Sequence, residues 1–354
     1  MKKIMLMYRR ALSLAIISLG LLASCQAPQQ VDPSVAEAEG ELQVNLSPFG
    51  NSRRPSGSIV DIAVSNPDFS ALVAAVTVTG LVPTLADEHS RFTVFAPTNA
   101  AFAQLPAPFN TPQSIAAITD QATLGALRDI LLYHVVSGTR SSRALRRGVP
   151  ATTAKPQGSN NDNVLYFSNT GDALFVNGNV EVIQADVAAT NGIIHAISSV
   201  LIPPSQSIVG IAVGNPNFSA LVAAVLKTGL AGTLSENLFT VFAPTDAAFA
   251  QLPAPFNTAQ NIAQIQDEEQ IGALRQILFL HVADGQPFFS TDLREGRLIT
   301  LGGQLGVELQ GGPTVQGGGN PQPANIVAVN ILANNGVIHV IDQVLLPRSR
   351  ATKQ

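Results

Sequence analysis

The chain repeats itself over a distance that no solenoid uses, and this restricts its fold more than any other feature. Ser58 to Val82 (SIVDIAVSNPDFSALVAAVTVTGLV) matches Ser207 to Ala231 (SIVGIAVGNPNFSALVAAVLKTGLA) at 19 of 25 positions. Phe92 to Thr111 matches Phe239 to Thr258 at 19 of 20, the sole change being Asn99 to Asp246. Further on, Ile193-Ile194-His195 answers Val337-Ile338-His339. The offset falls from 149 to 147 to 144 along these blocks, the first loss falling in the variable stretch 83–91. Solenoid repeats run to about 20 to 50 residues, whereas this period has the length of an ordinary domain. The sequence therefore predicts two tandem copies of a complete domain, 58–203 and 204–348, joined at Pro203-Pro204 and followed by a tail, 349–354.

Within a copy the hydrophobic period changes. Phe69, Leu72, Val73 and Val76 recur at helical spacing after Asn66-Pro67, and Gly80 suits the position just past a helix end. Phe92 to Phe95 reads as a buried strand, after which Pro97-Thr98-Asn99 offers cap chemistry for a helix Ala100 to Gln104. A longer helix is predicted from Leu124 to Val136, with Leu124, Leu127, Leu131 and Val135 on one face. The second half reads as short strands, Asn163 to Phe167, Ala173 to Val176, Val180 to Gln184 and Gly192 to Leu201, with Asn177-Gly178 as a hairpin turn. Helices first and strands later predict an α+β domain whose helices cover an antiparallel sheet.

The leader has its own logic. Residues 1–10 carry Lys2, Lys3, Arg9 and Arg10, and Ala11 to Leu22 are almost unbroken apolar residues, the pattern of a secretory signal peptide over 1–24. Leu22-Ala23-Ser24-Cys25 follows, holding the sole cysteine of the 354 residues. It resembles the lipobox of bacterial lipoproteins, which implies lipidation of Cys25 and a lipid-anchored place in the cell envelope. Gln26 after the cysteine implies the outer membrane or cell surface. Residues 25–57, rich in Pro, Gln, Ser, Gly and Glu, read as a flexible tether. Beyond the leader, sixteen Lys and Arg face twenty-four Asp and Glu, a balance opposite to that of a nucleic-acid binder.

Each copy resembles a fasciclin (FAS1) domain. The first family block is Phe92 to Phe102 and Phe239 to Phe249; the second, Asn-Gly-x-Ile-His and an apolar strand ending in Pro, is Asn191 to Pro203 and Asn335 to Pro347. The central Tyr-His dipeptide is Tyr133-His134, altered in copy two to Leu280-His281. The resemblance implies a wedge-like β-sandwich with several helices and a role in adhesion. In animal members an acidic residue followed by Ile has been linked to integrin binding. The matching positions are Asp186-Val187, and in copy two Asn330-Ile331, without the charge. An alternative is that Asp186 accepts local backbone bonds in a turn.

The candidates for binding are therefore Asp186, Val187, Tyr133, His134 and the basic run Arg140, Arg143, Arg146, Arg147 with Lys155. Copy two mixes signs where copy one is basic, with Asp284, Asp292, Arg294, Glu295 and Arg297. His134, His281, His195 and His339 are expected to lock helix ends and final strands, and Asn99 and Asp246 to be structural. A catalytic zinc site needs three protein ligands, and no third His, Asp or Glu accompanies the histidines at motif spacing. No nucleophile elbow, metalloprotease motif, phosphate loop or dinucleotide fingerprint is present. Asp267-Glu268-Glu269 suits the first turn of a helix, and the glycine-rich run 302–319 reads as hairpin turns. These features predict a non-enzymatic protein, without cofactor or metal, that is held to the membrane by its lipid. It is expected to bind a cell-surface or matrix polymer, protein or polysaccharide, and not nucleic acid. The alternative is a binder of a small apolar or lipid ligand in a groove between helices and sheet.

Overall fold

The computed structural model describes residues 57–155 and 162–348. The leader, Cys25, the tether up to residue 56 and the tail 349–354 lie outside the described residues.

Copy one opens with a capping box: Ser58 Oγ accepts the Asp61 N–H and the Asp61 carboxylate accepts the Ser58 N–H, which starts α1 (Ile59–Ser65). Asn66-Pro67 makes one 3₁₀ turn into α2 (Ser70–Val78), and Gly80 beyond it takes φ +69°, where a side chain would be strained. After α3 (Val82–Leu85) and β1 (Phe92–Pro97), Thr98 caps α4 (Asn99–Phe102) and Thr111 caps α5 (Pro112–Ala116). The long helix α6 (Gln121–Tyr133) starts on Asp120 and buries Leu127 and Leu131. It does not reach Val136 as the periodicity predicts. His134 caps it, and Val135 opens β2 (Val135–Ser137), paired with Val94 of β1. Two buried β-branched residues directly after an apolar helix face fit either period, so the pattern alone overran the boundary.

After α7 (Ser142–Leu145) come β3 (Ala151–Thr152), β4 (Val164–Leu165) and β5 (Phe167–Thr170). The copy closes with β6 (Ala173–Val176), β7 (Val180–Ala189) and β8 (Gly192–Ile197). The main sheet has the order β2-β1-β8-β7-β6-β5. It is mixed, not purely antiparallel as expected: β1 and β8 run parallel from Phe92 beside Gly192 to Pro97 beside Ile197. These partners lie 100 residues apart, and a parallel pair with so long a crossover leaves no local mark in a sequence. Asn177 (φ +51°) and Gly178 (φ +71°) turn the β6–β7 hairpin through a three-residue loop. In β7 the register against β8 slips between Val182 and Val187, a bulge in which Asp186 takes φ +61°.

Copy two repeats the plan with α8 (Ile208–Gly214), α9 (Ser219–Lys227), α10 (Ala231–Glu236) and β9 (Phe239–Pro244). Next come α11 (Asp246–Phe249), α12 (Ala259–Gln264), α13 (Glu268–Leu280), which starts on Asp267, and β10 (Val282–Asp284). The glycine-rich run falls in strands and turns: β11 (Gly296–Thr300), β12 (Gly303–Glu308) and β13 (Thr314–Gly317), ahead of β14 (Ala324–Ala333) and β15 (Gly336–Ile341). β9 and β15 are again parallel. Each copy has a core on either face of its sheet. In copy one Val94 and Ala96 join the helices' core with Phe69, Phe102 and Leu127, while Phe95 points into the other with Leu165 and Val176. Burial on both faces is why Phe92 to Pro97 is apolar at every position but Thr93.

Candidate functional site

The residues that carry the family motifs turn inward. Asn191, fully buried, accepts the Ile59 N–H at 2.9 Å and donates to Leu85 O at 2.8 Å, tying α1 and α3 to the start of β8. Asn335 repeats this with Ile208 at 2.8 Å and Leu234 O at 2.7 Å. The following glycine is a steric requirement: a Cβ on Gly192 would lie 2.0 Å from Phe92 O, and one on Gly336 1.9 Å from Phe239 O.

The four repeat-related histidines are struts. His134 Nδ1–H donates to Ile130 O at 2.7 Å, and Nε2 accepts the Leu201 N–H at 2.9 Å, which joins the end of α6 to the chain leaving β8. His281 does the same with Ile277 O and Leu345 N–H, at 2.8 and 2.9 Å. Burial pushes both imidazoles down to about 4, partly opposed by the bond to the helix carbonyl. His195 and His339 use the other tautomer. Nε2–H donates to Arg140 O at 2.9 Å and to Phe288 O at 2.8 Å, and Nδ1 accepts the N–H of Asp186 or Asn330 at the bulge. Burial lowers these two as well. With both ring nitrogens of each histidine bonded to backbone, none has a free lone pair for a metal. Among the described residues no three His, Cys, Asp or Glu side chains converge as a metal site.

Tyr133 and His134, candidates for binding in the sequence, are both buried inside copy one. The Tyr133 hydroxyl donates to Val164 O at 2.9 Å and accepts from Asn177 Nδ2 at 3.1 Å; burial raises its pKa. Asn99 does not cap its own helix, which Thr98 does; its Oδ1 accepts the Ala71 N–H at 2.9 Å near the start of α2. Asp246 takes the matching Ala220 N–H at 2.8 Å and the Ser219 hydroxyl at 2.6 Å. The two residues exchange because either one supplies the acceptor that a helix N-terminus needs.

The outward face of copy one holds the remaining candidates. Asp186 is exposed but makes no local turn: its carboxylate accepts the Ser142 N–H at 2.8 Å and hydroxyl at 2.6 Å, fixing the start of α7 from 44 residues away. Val187 is half-buried against the helical core. Arg143, Arg146 and Arg147 are exposed on α7 and just after it. Among the described residues the ion pairs are His89–Asp87 and Lys155–Asp162, so none of the three arginines is in an ion pair there. The Arg146 guanidinium reaches the backbone oxygen of Asp172. Lys155 leaves the expected basic run, because its ammonium is largely buried 3.1 Å from Asp162.

Sequence reasoning missed one contact altogether. The hairpin tip Asn177–Asn179 of copy one meets copy two at Phe289 and Asn330, with Tyr166 and Phe289 ring centroids 5.8 Å apart. Phe289 is 1% exposed although it lies in a loop, and the Phe288-Phe289 pair in an otherwise polar loop is the signal the sequence offers.

A fasciclin-domain family model matches residues 67–203 and 216–347. The chain belongs to the fasciclin family. Each match covers one copy, so both copies are fasciclin domains. Among relatives, protein sll1483 of Synechocystis is 35% identical over 186 residues, covering 52% of this chain and 95% of that protein. Immunogenic protein MPB70 of Mycobacterium bovis is 32% identical over 201 residues, 55% of this chain and 93% of its own. Transforming growth factor-beta-induced protein ig-h3 of Oryctolagus cuniculus is 30% identical over 269 residues, 74% of this chain but 35% of ig-h3. The solved FAS1 domain pair of the insect cell adhesion molecule fasciclin I aligns with 81% of this chain and 95% of that one, at 21% identity and a TM-score of 0.37.

Proposed function

We propose that this protein is a non-enzymatic adhesion protein of the cell envelope, anchored through a lipid on Cys25, which binds an acidic polymer through the arginine face of the first fasciclin domain. The observation that carries this reading is the trio Arg143, Arg146 and Arg147, exposed and outside any ion pair among the described residues, on a chain that is otherwise acidic. The net negative charge does not forbid it, since at physiological salt exposed charges further apart than about 8 Å are largely screened and the nearest groups decide. The adhesion role follows from membership of the fasciclin family. The motif histidines are committed to backbone bonds, which leaves no activated acid or base among them.

The apolar-ligand reading carries less, although an open groove lies between α9 and α12. The apolar cleft between α8, α9 and α13, with Val213, Leu226 and Leu301 at its mouth, holds ≈ 50 Å³. An engineered cavity of about 150 Å³ is what it takes to hold a benzene.

The test uses the mature chain without its lipid on a column of immobilised uronic-acid polymer. Retention at low salt, release by added salt, and loss in an Arg143→Glu, Arg146→Glu, Arg147→Glu variant are expected. Equal behaviour of variant and wild type, or no retention of either, would overturn the reading. The anchor is tested by Cys25→Ser, which should move the protein from the membrane to the soluble fraction of cells.

A further inference from the structure

The two fasciclin domains meet through positions that can be compared one to one. The Ser142 N–H donates to Asp186 Oδ1 at 2.8 Å, and the Ser290 N–H donates to Asn330 Oδ1 at 2.7 Å. With Ser142 and Ser290 in register, Ser141 matches Phe289 and Arg143 matches Thr291. In the second domain these positions are covered by the first. Phe289 packs against Tyr166 and Val337, and Thr291 shares a hydrogen bond with Ser168 across the contact. Asn330, 4% exposed, places Nδ2 3.1 Å from Gly178 O and 2.6 Å from Asn179 Oδ1, while its carbonyl accepts from Asn179 Nδ2. In the first domain the same positions, as Ser141, Arg143 and Asp186, meet no other domain among the described residues.

Each difference follows from being covered. A carboxylate at 330 would set unprotonated oxygens against two acceptors of the hairpin and bury a charge. An arginine at 291 would lose its hydration, whereas Thr291 needs one hydroxyl partner and has it. Phe289 exposed to water, as it would be at position 141, would gain nothing. The second domain also lacks a tip to pass on. Its β13–β14 loop is longer and folds onto the end of its own domain. Asn320 Nδ2 donates to Val344 O at 2.8 Å, and a Cβ on Gly319 would lie 2.3 Å from Pro347 O.

We propose that the face formed by Phe289, Thr291 and Asn330 is a socket reserved for the Asn177–Asn179 hairpin of the preceding fasciclin domain. The pair then acts as one body, and of the two equivalent faces the one on the first domain alone is left open to a partner. This does not depend on what that partner is.

The test follows the mature chain by small-angle scattering and calorimetry. Wild type should give one cooperative unfolding transition and the compact dimension of a docked pair. Asn330→Asp should lengthen the particle and split the transition in two, whereas the reciprocal Asp186→Asn on the open face should do neither. Phe289→Ser, which empties the socket without adding charge, decides the matter if Asn330→Asp does not fold. Two independent transitions in wild type would overturn the proposal, as would folded Asn330→Asp and Phe289→Ser variants with unchanged dimension and a single transition.

Discussion

Lowering the pH should weaken this protein through His134 and His281 well before the carboxylates held low by hydrogen bonds respond. In the unfolded chain a histidine takes its proton near 6.5, whereas these two imidazoles resist until about 4 because burial disfavours the cation. Across that window the unfolded state binds more protons. The stability held at neutral pH is therefore lost as the pH falls, by about 1.4 kcal/mol per pH unit per histidine. At pH 4 each has cost about 3 kcal/mol, and the pair about 6, which is comparable with the whole stability of a typical domain. His195 and His339 are shifted in the same direction and steepen the slope. The carboxylates held low by hydrogen bonds, Asp61, Asp87 and Asp120, lose their contribution only below the ordinary carboxylate range, outside this window. Urea unfolding at about pH 7, 5.5 and 4.5 measures the slope directly. A His134→Gln, His281→Gln variant should be less stable at neutral pH but fall less steeply as the pH is lowered, since two of the buried histidines are gone. An unchanged slope in the variant, or a wild type equally stable at pH 7 and 4.5, would refute the assignment of these rings as neutral struts.

Three further substitutions probe other joints by the same unfolding measurement. Gly192→Ala sets a Cβ against Phe92 O and should cost about 3 kcal/mol or prevent folding. Tyr133→Phe leaves Val164 O and Asn177 Nδ2 without their partner and should cost about 1 to 3 kcal/mol. Asn99→Ala should cost about 1 kcal/mol through the loss of the Ala71 N–H bond, while Asn99→Asp, the residue of the second domain, should be close to neutral.

The duplication made the domain organisation legible, and the periodic stretches made most elements so, because helices and hairpins are set by neighbours within a few residues. What was hidden was non-local. The parallel β1–β8 pair joins residues 100 apart, and the Asp186 bond to Ser142 spans 44. Tyr133 looked like a binding residue because a phenol next to an imidazole reads the same whether it faces solvent or a buried carbonyl. Lys155 looked like part of a basic run because its acid, Asp162, lies seven residues on and only the fold brings the two together. The arginines are visible as a cluster in the sequence, but that none of them is in an ion pair, and that Thr291, the counterpart of Arg143, meets the first domain, required the structure.

Partner binding on one face of one domain is tested most directly by amide hydrogen exchange of the chain from Gln26 onward, with and without a uronic-acid polymer. Protection is predicted over Ser141 to Gly148 in the first domain, with 288–295 in the second unchanged. Protection of 288–295, or none over Ser141 to Gly148 when polymer is bound, would contradict it.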